Sequence, residues 1–489
     1  MLSLKSLFNF HGKTAVVVLG GMFFIIMGIS GITHPIMTWI GPKSIQFYPP
    51  KMTLTTDSLK AIPVILRTNN ISNPTIIKIV PSEKEDFLQI TEKKSATRRY
   101  FNLDTYGEIQ GQDKLQAIWL ARYYTGIRTP IRNISLQTEF DTAYPKINRL
   151  LPVYKIAFDA PNNPVTYIYT ETNALAYLTD DLKIRCQKIF IHLHTFKWLD
   201  GIEWLRVMII GIGVLSILGL GLSGIAILIK KRKGLGPLFS TRRLHRFLGY
   251  FVSFSLLFFA ISGGYHLIYS TSTTPIFGMK QSEPLLLEPA HFSSDFSWIK
   301  PYRDKAVNSV SIVRGPQNEH FYRIGIAQKK RAHKNNFDGI PSEKNVIYTT
   351  ISGHLYQDLS DLEMAQHLAK SFTSNKVEIG PTTKVKRFGV FYDFRNKRLP
   401  VYKVETNSKD NRSLYIDTVS GLLVDQVNRS GKWERFSFSF FHKWNFLRGP
   451  LGRNGRDIVM VAFVLSGIFL SLLGFLLMWR NKFKKRDTP

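Results

Sequence analysis

The chain has 489 residues, with 65 Lys+Arg against 35 Asp+Glu for a formal net charge of +30, and is 44% hydrophobic and 13% aromatic. Its single cysteine, Cys186, excludes a disulfide framework, a four-thiolate iron–sulfur centre and covalent haem attachment through a CxxCH sequence. Any haem must therefore be held noncovalently.

Four stretches carry no charge: between Lys13 and Lys43, Arg206 and Lys230, Arg246 and Lys280, and Asp457 and Arg480. Each exceeds the roughly 20 residues a membrane-spanning helix needs. In chain order, residues 1–40 read as a short cytoplasmic start and a first span, and 41–204 as an extramembrane lobe closing on an interfacial segment rich in Phe and Trp. Residues 205–230 are the second span, 231–243 a basic link and 244–272 the third span. Residues 273–456 form a second lobe with its own interfacial segment, 457–480 the fourth span and 481–489 a basic tail. Lys5 and Lys13, the link with Arg242 and Arg243, and the tail from Arg480 to Arg486 place both termini and the link in the cytoplasm by the positive-inside rule. Both lobes then lie on the far side, the periplasm of a bacterium, and the chain is a multi-pass inner-membrane protein. The first apolar run is too long for an ordinary signal core and has no small-residue cleavage site after it, so it reads as a retained span.

Within the lobes, helix-like stretches (Asp113 to Tyr124; Asp361 to Phe372) precede alternating strand-like runs (Val153 to Phe158; Tyr402 to Glu405), a small α+β pattern. The run Gln328 to Asn336, with Lys329, Lys330, Arg331 and Lys334, reads as a solvated loop tip.

The two halves resemble one another. Leu151-Pro152-Val153-Tyr154-Lys155-Ile156 recurs as Leu399-Pro400-Val401-Tyr402-Lys403-Val404, an offset of 248 residues. That register also carries Tyr167-Ile168 onto Tyr415-Ile416, Asp113 and Ala117 onto Asp361 and Ala365, and His194 onto His442. At a shorter offset, Ser30-Gly31-Ile32-Thr33-His34 parallels Ser262-Gly263-Gly264-Tyr265-His266, and Phe10-His11 parallels Leu244-His245. An internal duplication of two parallel repeats follows, each repeat being helix, extramembrane domain, helix.

The repeat sorts the twelve histidines. Three pairs match: His11 with His245, His34 with His266, and His194 with His442. The first pair lies at the cytoplasmic mouths of the first and third spans, the second near the far ends of those spans, and the third just before the second and fourth spans. By helical spacing, His34 shares a face with Gly31, Ser30 and Met27, and His266 with Gly263, Ser262 and Phe259. Small residues there admit a close neighbour or a planar ligand. Ionisable residues in spans point to function, and matched histidines from two halves suit bis-imidazole ligation of haem iron. His11 with His245 would serve an inner haem. The outer haem has two candidate pairs, His34 with His266 or His194 with His442. Helical rise separates His11 from His34 by about 34 Å, close to the full depth of the hydrocarbon core. Lys13, Arg242, Arg243 and Arg246 offer cations for haem carboxylates at the inner level. Zinc is the rival metal, but neither cysteine ligands nor an HExxH motif accompanies the histidines.

At these residues the chain resembles the PepSY-associated transmembrane family. Leu244-His245-Arg246-Phe247-Leu248-Gly249 is similar to that family's Leu-His-Arg-Trp-Leu-Gly element, and Phe10-His11-Gly12-Lys13 shares only the histidine. His194 and His442 match its second histidine element, and Gly452-Arg453-Asn454-Gly455-Arg456 its Gly-Arg stretch. The Leu-Pro-Val-Tyr-Lys strands look like degenerate PepSY domains, the second keeping Ser420-Gly421 at the turn. The resemblance implies a mixed membrane protein, four transmembrane α-helices with two α+β PepSY-like periplasmic lobes. It further implies two b-type haems held by histidines drawn from the three pairs, and electrons passed from the cytoplasmic side to a ferric siderophore or other ferric chelate. Reduction would release the iron, because hard oxygen donors hold ferric iron far better than ferrous. No flavin or nicotinamide fingerprint is present, so the electron donor would be a quinol or another redox protein. Membrane lipid is an expected partner. Nucleic acid is not, since the topology puts most of the basic charge outside the cytoplasm. The rival expectation is a non-enzymatic anchored module that binds a periplasmic protein or ligand. A secondary transporter would show inverted repeats and charged midplane sites, and neither is found.

Overall fold

A computed structural model of the chain describes residues 10–92, 97–230, 240–272, 279–280, 283–327, 345–356, 359–374 and 376–484. The charged run 328–336, residues 231–239 of the basic link and the end of the tail lie outside the described residues. The helices are α1 (Phe10–Ile40), α2 (Thr56–Thr68), α3 (Gln112–Thr125), α4 (Asp181–Ile189), α5 (Glu203–Lys230), α6 (Thr241–Ser272), α7 (Asp361–Ser371), α8 (Arg429–Ser437) and α9 (Arg448–Lys484). The chain divides into two units: residues 1–41, 181–275 and 433–489 in one, 42–180 and 276–432 in the other.

Among the described residues, the first unit holds four helices long and apolar enough to cross a membrane: Ala15–Ile40, Lys197–Ala226, Thr241–Ser272 and Asn445–Arg480. α1 packs against α5 and α9, and α6 packs against the same two, so α1 and α6 occupy opposite corners of a four-helix ring. Phe24, Ile217, Val252, Leu256 and Ala260 fill its centre. Glycine makes the crossings close. A β-carbon at Gly20 would stand 2.6 Å from the Ser216 carbonyl oxygen, and one at Gly467 2.6 Å from the Phe24 ring. Large apolar side chains such as Leu19, Ile29, Leu215, Phe254 and Leu472 point outward and exposed, the arrangement a hydrocarbon surround favours. Where the uncharged run places the fourth span from 457, the helical path begins earlier, at Arg448. It is interrupted at Gly452, whose φ of +66° favours glycine.

The short segments before α5 and α9 belong to this unit. α4 runs into a widened, π-type turn, Phe190–His194, and α8 into the equivalent turn Phe438–His442. The first turn packs on α1 and the second on α6. A left-handed residue then redirects each chain toward its span: Phe196 and Trp444, both at φ +48°. Each is steadied by stacking, Phe196 on Phe23 (centroids 6.1 Å apart) and Trp444 on Phe259 (5.6 Å).

The second unit joins residues from both predicted lobes. Both halves contribute to one eight-stranded antiparallel sheet. Its spatial order is Leu355–Tyr356, Asn345–Thr350, His320–Ile326, Ala306–Arg314, Ile76–Pro81, Asp86–Thr91 and Arg99–Asn102, with Met52–Thr53 also on Ala306–Arg314. The halves meet at Ile77 opposite Ile312 and Ile79 opposite Val310. This pairing removes the open strand edge each half would expose alone. α2, with Leu59, Ile62, Ile65 and Leu66 buried along one face, covers the sheet through Ile77, Leu88, Val310 and Ile312.

Two further antiparallel sheets of four strands each come from one half apiece: Ile131–Gln137, Val153–Phe158, Val165–Tyr169, Ala174–Thr179; and Ile379–Val385, Val401–Thr406, Ser413–Asp417, Leu422–Val427. α3 lays Ala117, Leu120 and Ala121 on Ile156, Phe158 and Ile168, while α7 lays Ala365, Leu368 and Ala369 on Val404, Leu414 and Ile416. The 248-residue spacing recurs in detail. Leu151-Pro152 and Leu399-Pro400 are both cis. Tyr144 and Tyr392 donate their hydroxyls to the carbonyls of Leu150 (2.9 Å) and Arg398 (3.0 Å) and stack on Tyr167 (4.5 Å) and Tyr415 (4.9 Å). Tyr100 and Tyr348 donate theirs to the buried carboxylates of Asp113 and Asp361.

A buried ion network also draws on both halves. Glu171 receives Lys78 Nζ at 2.5 Å and the Arg398 guanidinium, and Arg398 in turn donates Nη1 to Asp417 Oδ2 at 2.7 Å. All four side chains are almost fully buried. Burial alone would raise the Glu171 carboxyl, but Arg398 and Lys78 outweigh it and hold the group at about 2.

Candidate functional site

The widened turns carry the chemistry. Phe190 lies four residues before His194 and Phe438 four before His442, and in the wide turn each phenyl stacks on its histidine. The centroid distances are 4.7 Å and 4.5 Å, with planes 15° and 11° apart. His194 lies over α1. Its Nδ1 is 3.2 Å from the Met27 carbonyl oxygen and 3.2 Å from Ser30 Oγ. A carbonyl only accepts, so Nδ1 carries the proton. The Ser30 hydroxyl donates to the Ile26 carbonyl at 2.8 Å and receives from the imidazole. The arrangement on α6 is the same: Ser262 Oγ is 3.2 Å from His442 Nδ1, donates to the Phe258 carbonyl at 2.5 Å, and the Phe259 backbone bonds the imidazole.

The two histidines stand together. Their ring centroids are 6.3 Å apart and their planes cross at 79°. With both protons fixed on Nδ1, each Nε2 keeps its lone pair, and neither makes a hydrogen bond among the described residues. Two metal–nitrogen bonds of about 2.0 Å place the centroids of opposed imidazoles roughly 6 Å apart, the spacing observed.

The remaining paired histidines are placed differently. His34 stands edge-on to Phe190 (5.5 Å, 86°) and His266 lies tilted on Phe438 (4.5 Å, 31°), so each is separated from the central two by a phenyl ring. His266 also bonds Glu434, with Nδ1 2.6 Å from Oε1 of that nearly buried carboxylate. His245 sits on α6 against α9, where a β-carbon at Gly474 would stand 3.3 Å from its Nε2. His11 lies in the first turn of α1, and its side chain is outside the described residues.

The surroundings fit a planar group between His194 and His442. Gly31 and Gly263 offer their backbone to the imidazole edges: a β-carbon at either would stand 3.6 Å from His194 Cε1 or 3.8 Å from His442 Cε1. Trp444, two residues after His442, buries its indole N–H without a partner among the described residues, a donor free for an added acceptor. Arg456 donates to the Lys443 carbonyl (3.1 Å) and Asn445 Oδ1 (2.6 Å) and pairs with the buried Asp457, and Arg453 reaches Thr38 Oγ1 on α1 (3.0 Å), so ion-paired guanidinium groups stand near the turn after His442. Two imidazole lone pairs and a buried indole N–H without a partner among the described residues are donors of the kind a noncovalently held haem uses.

Phe190, Phe438, Glu434 and Trp444 are absent from the sequence-derived set. Phe190 and Phe438 obey the same 248-residue offset as the histidines they grip, so the repeat held that signal. Glu434 has Cys186 as its counterpart, so the repeat hides it. The chain matches no family profile, no curated protein and no solved structure.

Proposed function

We propose that the chain is an inner-membrane, haem-dependent oxidoreductase that passes electrons from the cytoplasmic side to a ferric chelate in the periplasm. The observation that carries this is the pairing of His194 and His442: one imidazole from each half, both lone pairs unengaged, 6.3 Å apart. The parallel repeats, the positive-inside charge and the resemblance to PepSY-associated reductases support the same conclusion. A haem held there would supply a one-electron couple. The protein's own residues supply the rest. His194 and His442 would hold the iron through their Nε2 nitrogens, Ser30 and Ser262 hold their tautomer, Phe190 and Phe438 exclude water from the stacked ring faces, and Trp444 with Arg456 would offer donors to carboxylate substituents. His245, with His11, is the proposed inner ligand pair.

The substrate is assigned to ferric chelates because one-electron reduction converts a tightly held hard ion into a labile one. The purified protein, reduced anaerobically and mixed with a ferric hydroxamate in the presence of a ferrous-specific chromogenic chelator, tests it. Reoxidation of the protein matched by ferrous complex formation is expected. Haem that stays reduced in the presence of the chelate would overturn the substrate assignment.

A further inference from the structure

Building on the haem assignment above, we infer that Ser30 and Ser262, together with Phe190 and Phe438, lock the two axial imidazoles in crossed planes, and so fix the electronic state of the iron between them. Each ring is restrained on two sides. Along its Nδ1 edge, a buried serine and a main-chain carbonyl both accept from the N–H, at 3.2 Å each for His194. Across one face, a phenyl stacks within 15° of parallel. The serines are themselves fixed, since each spends its own proton on a carbonyl of its helix and is almost fully buried. The phenyls are fixed from behind by His34 and by the Glu434-bound His266. Rotation of either ring would break a hydrogen bond and open a stacked contact at once. The 79° crossing is therefore a held angle.

The angle has a spectroscopic consequence. Parallel imidazoles split the two iron d orbitals that interact with the ligand π systems. Crossed imidazoles act on the two orbitals equally and leave them nearly degenerate. A low-spin ferric haem held by crossed rings gives one strongly shifted low-field resonance, whereas parallel rings give a rhombic three-line spectrum. Ser30 and Ser262 are positioning residues, acting on the iron only through the imidazoles, in the way outer partners of metal-bound histidines set ligand orientation and basicity.

The test is low-temperature electron paramagnetic resonance of the oxidised, detergent-purified full chain. The component lost in His442→Ala identifies this haem among any others. The wild type should show the single low-field feature for it. Ser30→Ala/Ser262→Ala, at unchanged haem content, should move the signal toward a rhombic spectrum and shift the midpoint potential, and Ser30→Thr/Ser262→Thr, which keeps the hydroxyls, should restore both. Phe438→Leu provides an independent release of one ring and should move the signal in the same direction. A rhombic wild-type spectrum, or an unchanged signal in the serine variant, overturns the inference while leaving the haem assignment standing. A wild type that binds no haem overturns both.

Discussion

Replacing Glu171 with glutamine keeps the shape of the side chain and removes the one charge shared by Lys78 and Arg398. In the folded protein Lys78, Arg398, Glu171 and Asp417 form a balanced group of two cations and two anions, all almost fully buried. Glu171→Gln leaves one uncompensated buried cation. Removing one partner of a buried ion pair costs about 3–5 kcal/mol. For a unit of this size, with an unfolding entropy of about 2.1 cal/mol/K per residue, that lowers the melting temperature by roughly 5–8 °C. Thermal unfolding in detergent, followed by intrinsic fluorescence near neutral pH, reads the change. Lys78→Met in the same chain restores neutrality, because Arg398 and Asp417 still pair, so the double variant should recover most of the loss. A Glu171→Gln protein that melts with the wild type, or a double variant less stable than the single, would refute the charge-balance argument.

Acid should attack the same unit in a defined window. Arg398 and Lys78 around Glu171, and Arg323 with Tyr348 and Tyr402 around Asp361, outweigh burial and hold both carboxyls at about 2. A depressed carboxylate contributes stability that is complete above its unfolded value of about 4 and is lost as pH falls toward the folded one. The melting temperature should therefore fall steeply below about pH 4, and a flat profile from pH 5 to pH 2 would contradict the ion pairs. Gly31→Ala and Gly263→Ala should keep haem, since a single β-carbon fits at ordinary contact distance from the imidazoles. Gly31→Leu and Gly263→Leu should lose it, because the added carbons fall on the rings; haem content per chain reads the difference. His34→Ala and His266→Ala should retain the outer haem, which would vanish in His194→Ala or His442→Ala, as measured by pyridine haemochrome.

The spans and the recurring core were legible in the sequence because both leave periodic, local traces: uncharged runs of spanning length, and a 248-residue register that brought out His194 with His442 and Tyr167 with Tyr415. What escaped was long-range. The strands Ile76–Pro81 and Ala306–Arg314 do not share that register, so their pairing into one sheet left no repeat to follow. The closeness of His194 to His442 was hidden for a similar reason. His34 and His266 lie nearest the small-residue faces in sequence, but the chain reversals at Phe196 and Trp444 carry His194 and His442 back onto those faces, against Ser30, Gly31, Ser262 and Gly263. A left-handed aromatic residue has no signature in sequence comparable to that of a glycine turn.

The visible absorption spectrum of the purified full chain from haem-replete cells, recorded before and after dithionite, bears most directly on the His194–His442 pair. Sharp reduced α and Soret bands of a six-coordinate b-type haem, lost in part from both His194→Ala and His442→Ala, are the predicted result. A colourless protein, or a haem spectrum indifferent to both substitutions, would contradict it.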